Sequence, residues 1–158
     1  MPGIRIMLNE QFNRMWKLLS EVIVKTPNDI WGKDLRSLHA SSRLAFHTVE
    51  TVDFYIGETE TNFPWGKKFG EPLWETFTES KLPTKAQVKE YADEMKKKVE
   101  TIFAKCNDIK FLEPQKIFSW TGETLLDRFV YILKHSYYHL GQINQLIKES
   151  GNEPTDWY

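Results

Sequence analysis

The sequence lacks the features that mark several classes of protein. It contains a single cysteine, Cys106, so no disulfide can form within the chain, which favours a reducing compartment. Its 21 basic and 22 acidic residues nearly cancel, so it has no basic excess to attract nucleic acid or an anionic membrane. An apolar run of about 18 residues and a signal-peptide pattern are also absent. We therefore expect a cytoplasmic protein with no nucleic-acid partner and no membrane partner.

Aromatic residues are abundant, with 6 Trp, 6 Tyr and 10 Phe among 158 residues, and 41% of the chain is hydrophobic. A chain of this size and composition can bury a substantial core, and it is too apolar to stay disordered. No internal repeat or low-complexity segment interrupts it. The sequence therefore predicts one globular domain that spans residues 1–158.

Four segments show the apolar periodicity of amphipathic helices. The first covers residues 6–25 and ends before Pro27, and the second begins around residues 34–37 and ends near residue 57. The third follows the capping-box pattern of Thr84 and Gln87, and the last starts near residue 121 and ends before Gly151. Four such helices predict an all-α four-helix bundle whose long connections allow crossovers.

Two connecting segments carry expectations of their own. Residues 58–83 mix prolines and glycines with large aromatic side chains, so we expect this loop to pack on the domain. It would either cover the mouth of a pocket or plug one end of the bundle. Residues 109–112 and 117–120 are two short apolar runs separated by a segment that contains Pro114, and they predict a small hairpin before the last helix.

Two histidines of the last helix, His135 and His139, lie four residues apart. This spacing separates their directions by about 40°, so both imidazoles lie on the apolar helix face and can bind one metal ion. His47, among apolar residues of the second helix, would add a third nitrogen ligand and leave one coordination position open. His39 precedes His47 by eight residues and points about 80° away from it, so we exclude it from the site.

The spacing of the histidines is also compatible with roles that involve no such metal site. A histidine on an apolar face is often a hydrogen-bonded core residue, and two histidines four apart can also form a stacked surface pair. A haem site with histidine ligands is a further possibility, although the chain has no Cys-x-x-Cys-His sequence for covalent attachment.

Three further polar residues are candidates for contacts around the metal or with a substrate. Gln142, one turn beyond His139, could hydrogen-bond a ligand or a metal-bound water. Arg128 lies two turns before His135 on the same face and could bind an anionic substrate group, pair with a carboxylate, or extend out of the bundle end. Glu50, one turn after His47, could orient an imidazole, act as a base, or be an exposed surface residue.

The sequence His135-x-x-x-His139-Leu-Gly141-Gln142-Ile143 resembles the last-helix motif of the DinB/YfiT-like family of metal-binding four-helix bundles. Residues 44–55, which contain His47, resemble that family's single-histidine segment. The resemblance implies that His47, His135 and His139 bind one divalent metal ion, zinc or nickel, and that the protein is a homodimer. The family commonly has a second His or an Arg where this chain has Tyr138 and Leu140, so the surroundings of the site differ while the three ligands remain.

The same resemblance implies a function. It indicates a metal-dependent enzyme that acts on a small molecule, either as a hydrolase or as an S-transferase for a low-molecular-weight thiol in a stress response. The alternative is a non-catalytic, stress-associated metal-binding protein. Imidazole nitrogens suit zinc, nickel, copper and iron alike, so the ligand types do not identify the metal.

Overall fold

The computed structural model describes residues 3–33, 39–69 and 82–156. These residues form helices and irregular segments, with no β-strand among them, so the predicted all-α class is confirmed. The helices are α1 (Ile4–Lys25), α2 (Asn28–Trp31), α3 (Ser41–Tyr55), α4 (Lys85–Lys105), α5 (Asp108–Phe111) and α6 (Leu125–Glu149).

The four long helices α1, α3, α4 and α6 form the bundle. Helix α1 packs against α4 and α6, and α3 packs against the same two helices from the opposite side. Phe12, in the first half of α1, lies edge-on to Phe103 near the end of α4 and to Phe129 near the start of α6. Helix α1 therefore runs antiparallel to α4 and parallel to α6.

Helices α3 and α4 run in the same direction. Phe46 lies beside Tyr91, and Asp53, two turns further along α3, pairs with Lys98, two turns further along α4. The chain between these helices must therefore return along the length of the bundle, which is the crossover that the long connection suggested. Helix α6 runs antiparallel to α3, because Tyr55 at the end of α3 packs on Tyr131 near the start of α6.

A cluster of phenylalanines forms the core where α1, α4, α5 and α6 meet. Phe12, Phe103, Phe111 and Phe129 are all almost completely buried and pack edge-to-face on one another. Each buried phenylalanine side chain contributes about 2–3 kcal/mol of hydrophobic stabilisation before entropy is subtracted. This cluster fixes the C-terminal end of α4 and the N-terminal end of α6 on α1.

Capping boxes start both α4 and α6. The predicted box at Thr84 and Gln87 is present, since each residue accepts a hydrogen bond from the other's backbone N–H. Thr124 and Asp127 form a second box, which was not predicted from the sequence. Helix α6 therefore begins at Leu125, later than predicted, because Ser119–Thr121 forms a separate 3-10 helix and Gly122 adopts a φ of 137°.

Two other segments differ from the predictions. Helix α3 begins at Ser41, whereas the predicted start at residues 34–37 lies outside the described residues, and His39 is not helical. The predicted hairpin before the last helix is wrong: Asp108–Phe111 is helical, because the Asn107 side chain accepts a hydrogen bond from Lys110 N and caps the turn. An isolated antiparallel bridge between Pro114 and Thr124 is the only strand-like contact in residues 106–124.

Among the helices of the described ranges, none combines the length and apolar character needed to cross a membrane.

Candidate metal centre

Three histidines meet between α3 and α6. His47 projects from the middle of α3, and His135 and His139 project from successive turns of α6. The centroid of the His47 ring lies 5.1 Å from that of His135 and 5.0 Å from that of His139. One ring nitrogen of each residue lies within 4.8 Å of the other two. Because α3 and α6 are both anchored by the bundle core, rigid helices position all three side chains.

The spacing of these nitrogens suits a metal ion. His135 Nε2 and His139 Nε2 are 3.3 Å apart. Two nitrogens that each lie about 2.0–2.1 Å from one tetrahedral zinc ion are separated by about 3.3–3.4 Å. His135 Nδ1 is buried and has no hydrogen-bond partner among the residues that the structure describes. The three residues could thus hold one metal ion together.

Burial keeps the three imidazoles neutral. It lowers the pKa of His47 to about 3, and the neighbouring charges of His139 and His135 add to this effect. Burial likewise lowers the pKa of His135 to about 4, with a smaller contribution from His139. The pKa of His139 is also lowered by burial, although its hydrogen bond to Gln142 acts in the opposite direction. Neutral imidazoles keep the lone pairs that metal binding requires.

Gln142 sets the tautomer of His139. Its Oε1 lies 2.7 Å from His139 Nδ1. An amide oxygen can only accept a hydrogen bond, so Nδ1 carries the proton and donates. His139 Nε2, the atom that faces His135, therefore keeps its lone pair. A partner of this kind orients a ligand histidine and increases its basicity.

Glu50 lies one turn after His47 and is 1% exposed, so the expectation of an exposed surface residue is wrong. Its Oε1 accepts a hydrogen bond from the backbone N–H of Gly66 in the loop that follows α3. Gly66 has a φ of 74°, a left-handed conformation that favours glycine. The carboxylate thus fastens the loop to α3 next to the histidines.

The described part of that loop, residues 58–69, lies over α3. Trp65 packs beside His47, with ring centroids 6.2 Å apart, and against Phe54. Towards the bundle end, Glu60 accepts a hydrogen bond from the backbone N–H of Phe118. This part of the loop therefore packs on the domain, as predicted, and it contacts both the histidine cluster and the bundle end. Residues 70–81 of the predicted loop lie outside the described residues.

Tyr131 is a neighbour of the site that was not predicted from the sequence. It lies one helical turn before His135, and its ring is nearly parallel to the imidazole, at 19° with 6.2 Å between centroids. The four-residue spacing to His135 on the same helix face could have identified it. The position of Trp65 had no such signal, because its contact with His47 depends on the path of an irregular loop.

Arg128 and His39 lie outside the cluster. Arg128 is half-buried at the bundle end, where its Nη1 donates a hydrogen bond of 3.4 Å to Tyr55 O. His39 is exposed before α3, with its Nδ1 3.3 Å from Nη1 of Arg43. Of the two positions that depart from the family motif, Tyr138 is 64% exposed and packs its ring beside His139, whereas Leu140 is fully buried.

Fold and site together define an all-α four-helix-bundle protein with a three-histidine candidate metal centre. The chain belongs to the DinB family, whose family model matches residues 7–158. His47, His135 and His139 all lie within the matched range. No curated protein matches the chain. Family membership and the histidine cluster are together consistent with a metal-binding protein.

Proposed function

We propose that this protein is a metal-dependent enzyme in which His47, His135 and His139 bind one divalent metal ion, zinc or nickel. The observation that carries the proposal is that one nitrogen from each histidine lies within 4.8 Å of the other two. The reaction class that we propose is thiol S-transfer or hydrolysis on a small molecule. A low-molecular-weight thiol is the proposed substrate for the first of these reactions.

An open coordination position supports catalysis over a purely structural role. In the described part of the chain, no fourth His, Cys, Asp or Glu ligand atom joins the three histidines. Sites with three protein ligands and one open position are typical of catalytic zinc, whereas structural zinc sites have four protein ligands. A bound divalent cation would lower the pKa of a water or thiol at the open position and so supply a nucleophile at neutral pH.

The residues around the histidines favour such a reaction. Gln142 fixes the tautomer of His139, so this ring needs no reorganisation to act as a ligand. Trp65 and Tyr131 place apolar ring surface beside His47 and His135, which limits the access of water. Glu50 holds the loop that carries Trp65 in this position. Electrostatic interactions within the site are stronger where water is excluded.

The second candidate function is a non-catalytic, stress-associated metal-binding protein. The observation that favours it concerns Glu50, the carboxylate closest in sequence to His47. Its Oε1 is engaged by Gly66 N, so it is placed to hold the loop more than to accept a proton from a nucleophile. A count of the metal ligands distinguishes the two functions. Three imidazoles with an exchangeable water favour an enzyme, and a fourth protein ligand favours the alternative.

Activity of the metal-loaded protein tests the proposal. The protein, loaded with zinc or nickel in separate samples, is assayed with pairs of a low-molecular-weight thiol and an electrophile, and with ester and amide hydrolase substrates. We expect turnover that disappears in the His139→Ala variant and persists in His39→Ala, which alters an exposed histidine outside the cluster. A loaded protein that is inert in every assay would contradict the enzyme proposal while leaving the metal site intact.

The cellular setting is part of the same proposal. The family resemblance supports a homodimer, and the balanced charge supports a cytoplasmic protein with no nucleic-acid or membrane partner. Sedimentation equilibrium tests the first point: a mass of twice 18.7 kDa is expected, and a mass of one chain would contradict it.

A further inference from the structure

A pocket lies at the bundle end where α3 terminates and α6 begins. Its volume is about 410 Å³, which is within the range of small-molecule sites. Apolar side chains form most of its wall: Ile56, Ile102, Ile117, Leu125 and Phe129. Three charged residues also line it: Arg128, Lys116 and Glu58. An apolar pocket with a few charged groups is the usual composition of a site for an amphiphilic small molecule.

Arg128 uses little of its hydrogen-bonding capacity. A guanidinium carries five N–H donors. In this structure Nη1 donates to Tyr55 O at 3.4 Å, and the guanidinium lies over the Phe118 ring, 5.0 Å from its centroid. The Nε atom is fully buried and has no hydrogen-bond partner among the described residues. A buried N–H without an acceptor destabilises a protein unless a ligand or water supplies one.

Arg128 also has no counter-charge within the described part of the chain. No carboxylate there forms an ion pair with it. Glu60 accepts a hydrogen bond from the backbone N–H of Phe118, the residue whose ring lies under the guanidinium. Charged residues that are removed from water are normally paired. This arginine is therefore arranged to bind an anion that the described residues do not provide.

The charges of the residues that line the pocket indicate what charge the bound anion would carry. Lys116 and Arg128 oppose the single carboxylate of Glu58, so the pocket has an excess of one positive charge. A carboxylate with one negative charge balances this excess, whereas a doubly charged phosphate monoester would exceed it. Guanidinium and carboxylate also match in geometry, because two parallel N–H groups can donate to the two oxygens.

We propose that this pocket binds a small monocarboxylate with an apolar chain, whose carboxylate is bound by Arg128 and whose chain lies against Ile56, Ile102 and Ile117. The site is separate from the metal centre. Arg128 precedes His135 by two helical turns, about 10 Å along α6, and Tyr131 lies between them on the same helix. The inference therefore goes beyond the proposed metal-dependent activity and does not require it.

The test is a titration with hexanoate that is followed by NMR. The signals are the Arg128 Nε–Hε group and the methyl groups of Ile56 and Ile117. We expect saturable shifts of all three signals. Hexanamide, which has the same chain and no charge, should bind at least about tenfold more weakly, because charge-assisted hydrogen bonds are lost. The same titration is run with and without added zinc, and the result should not change.

Three variants separate ligand binding from stability. Arg128→Gln should weaken hexanoate binding at least about tenfold, and Arg128→Lys, which keeps the charge, should weaken it less. Arg14→Gln, on the exposed face of α1, is the matched control and should bind hexanoate like the wild type. The melting temperature of each variant shows whether it is folded. If Arg128→Gln is not folded, Arg128→Lys serves as the test.

Equal affinity for hexanoate and hexanamide would overturn the proposal, as would unchanged hexanoate binding by Arg128→Gln. Tighter binding of hexyl phosphate than of hexanoate would overturn the assignment of a monocarboxylate. Absence of saturable shifts in the wild type would show that Arg128 is a structural residue that caps α3. None of these outcomes affects the metal centre, because zinc binding is measured separately.

Discussion

Helices α1 and α4 form one half of the bundle and α3 and α6 the other, and the two halves differ in the polarity of the side chains that they bury. The residues that α1 and α4 bury are hydrophobic, for example Phe12 and Val99. The only polar groups among these buried side chains are the indole N–H of Trp16 and the hydroxyl of Tyr91. Helix α6 buries Ser136 and Asn144 in addition to carrying the histidine pair. Helix α3 buries five polar or charged residues: Ser41, Ser42, Thr48, Glu50 and Thr51.

This difference separates the apolar half of the bundle, α1 and α4, from the half that carries the candidate metal centre, α3 and α6. Burial of a polar group has a cost unless it is hydrogen-bonded, so a core optimised for stability alone would avoid it. Helices α3 and α6 accept this cost next to the three histidines, while α1 and α4 supply the apolar surface that offsets it. Substitutions in α1 and α4 should therefore change stability alone, whereas substitutions of the polar residues around the histidines of α3 and α6 should change metal binding, stability or both.

The largest effect is expected in the apolar half. Phe12→Ala should lower the free energy of unfolding by about 3–5 kcal/mol, because it removes the ring that joins α1, α4 and α6 and leaves a cavity. Urea denaturation measures this change. The metal affinity of the folded protein should stay at the wild-type value, and a parallel loss of metal affinity would contradict the division between the two halves.

Glu50→Ala should lower the free energy of unfolding by about 1–3 kcal/mol, because Gly66 N then has no acceptor in a buried position. The exchange rate of the Gly66 amide hydrogen should rise with it. Glu94→Ala is the comparison: Glu94 fastens Lys68 of the same loop through an exposed ion pair, and its loss should cost below about 1 kcal/mol. Equal effects would show that Glu50 is not the main anchor of the loop.

Gln142→Leu should weaken metal binding by about 10- to 100-fold, since partners that orient a ligand histidine have effects of this size. Competition with a chelator of known affinity measures it. Gln145→Leu, an exposed residue on the same helix, should bind metal like the wild type. If both variants bind equally well, the hydrogen bond to His139 does not support the site.

The metal-free protein should become less stable as the pH falls below about 6.5, the ordinary value for histidine. The folded-state pKa values of His47 and His135 are lowered to about 3 and about 4. Between these values and about 6.5 the unfolded chain binds more protons than the folded protein, so protonation favours unfolding. Urea midpoints at several pH values measure the decline. His135→Ala should show a shallower decline, and an equal slope would mean that this histidine is not buried as neutral imidazole.

The sequence predicted those features that depend on local periodicity. The apolar spacing of α1 and the capping box at Thr84 placed two helices, and the four-residue spacing of His135 and His139 placed two candidate ligands on one face. His47 was a hypothesis that depended on a tertiary contact between α3 and α6, and the family resemblance supported it. Helix α5 was missed because a single helical turn has too few residues to show a period.

Features that depend on irregular backbone could not be predicted. The burial of Glu50 follows from the path of the loop, which brings Gly66 N to its carboxylate, and Trp65 reaches His47 by the same path. The face of Arg128 was predictable from helix geometry, but its lack of an ion pair with any carboxylate of the described residues was not. Whether a charged residue is paired depends on which elements meet at the bundle end, and no local pattern records that.

The central claim is that the three histidines form one metal site. Elemental analysis of purified protein that has been incubated with zinc or nickel and then desalted tests it most directly, with the wild type, His135→Ala and His39→Ala measured together. We expect about one ion per chain in the wild type and in His39→Ala, and almost none in His135→Ala, since two remaining imidazoles bind a divalent ion far more weakly. The same metal content in His135→Ala as in the wild type would contradict the assignment of the site.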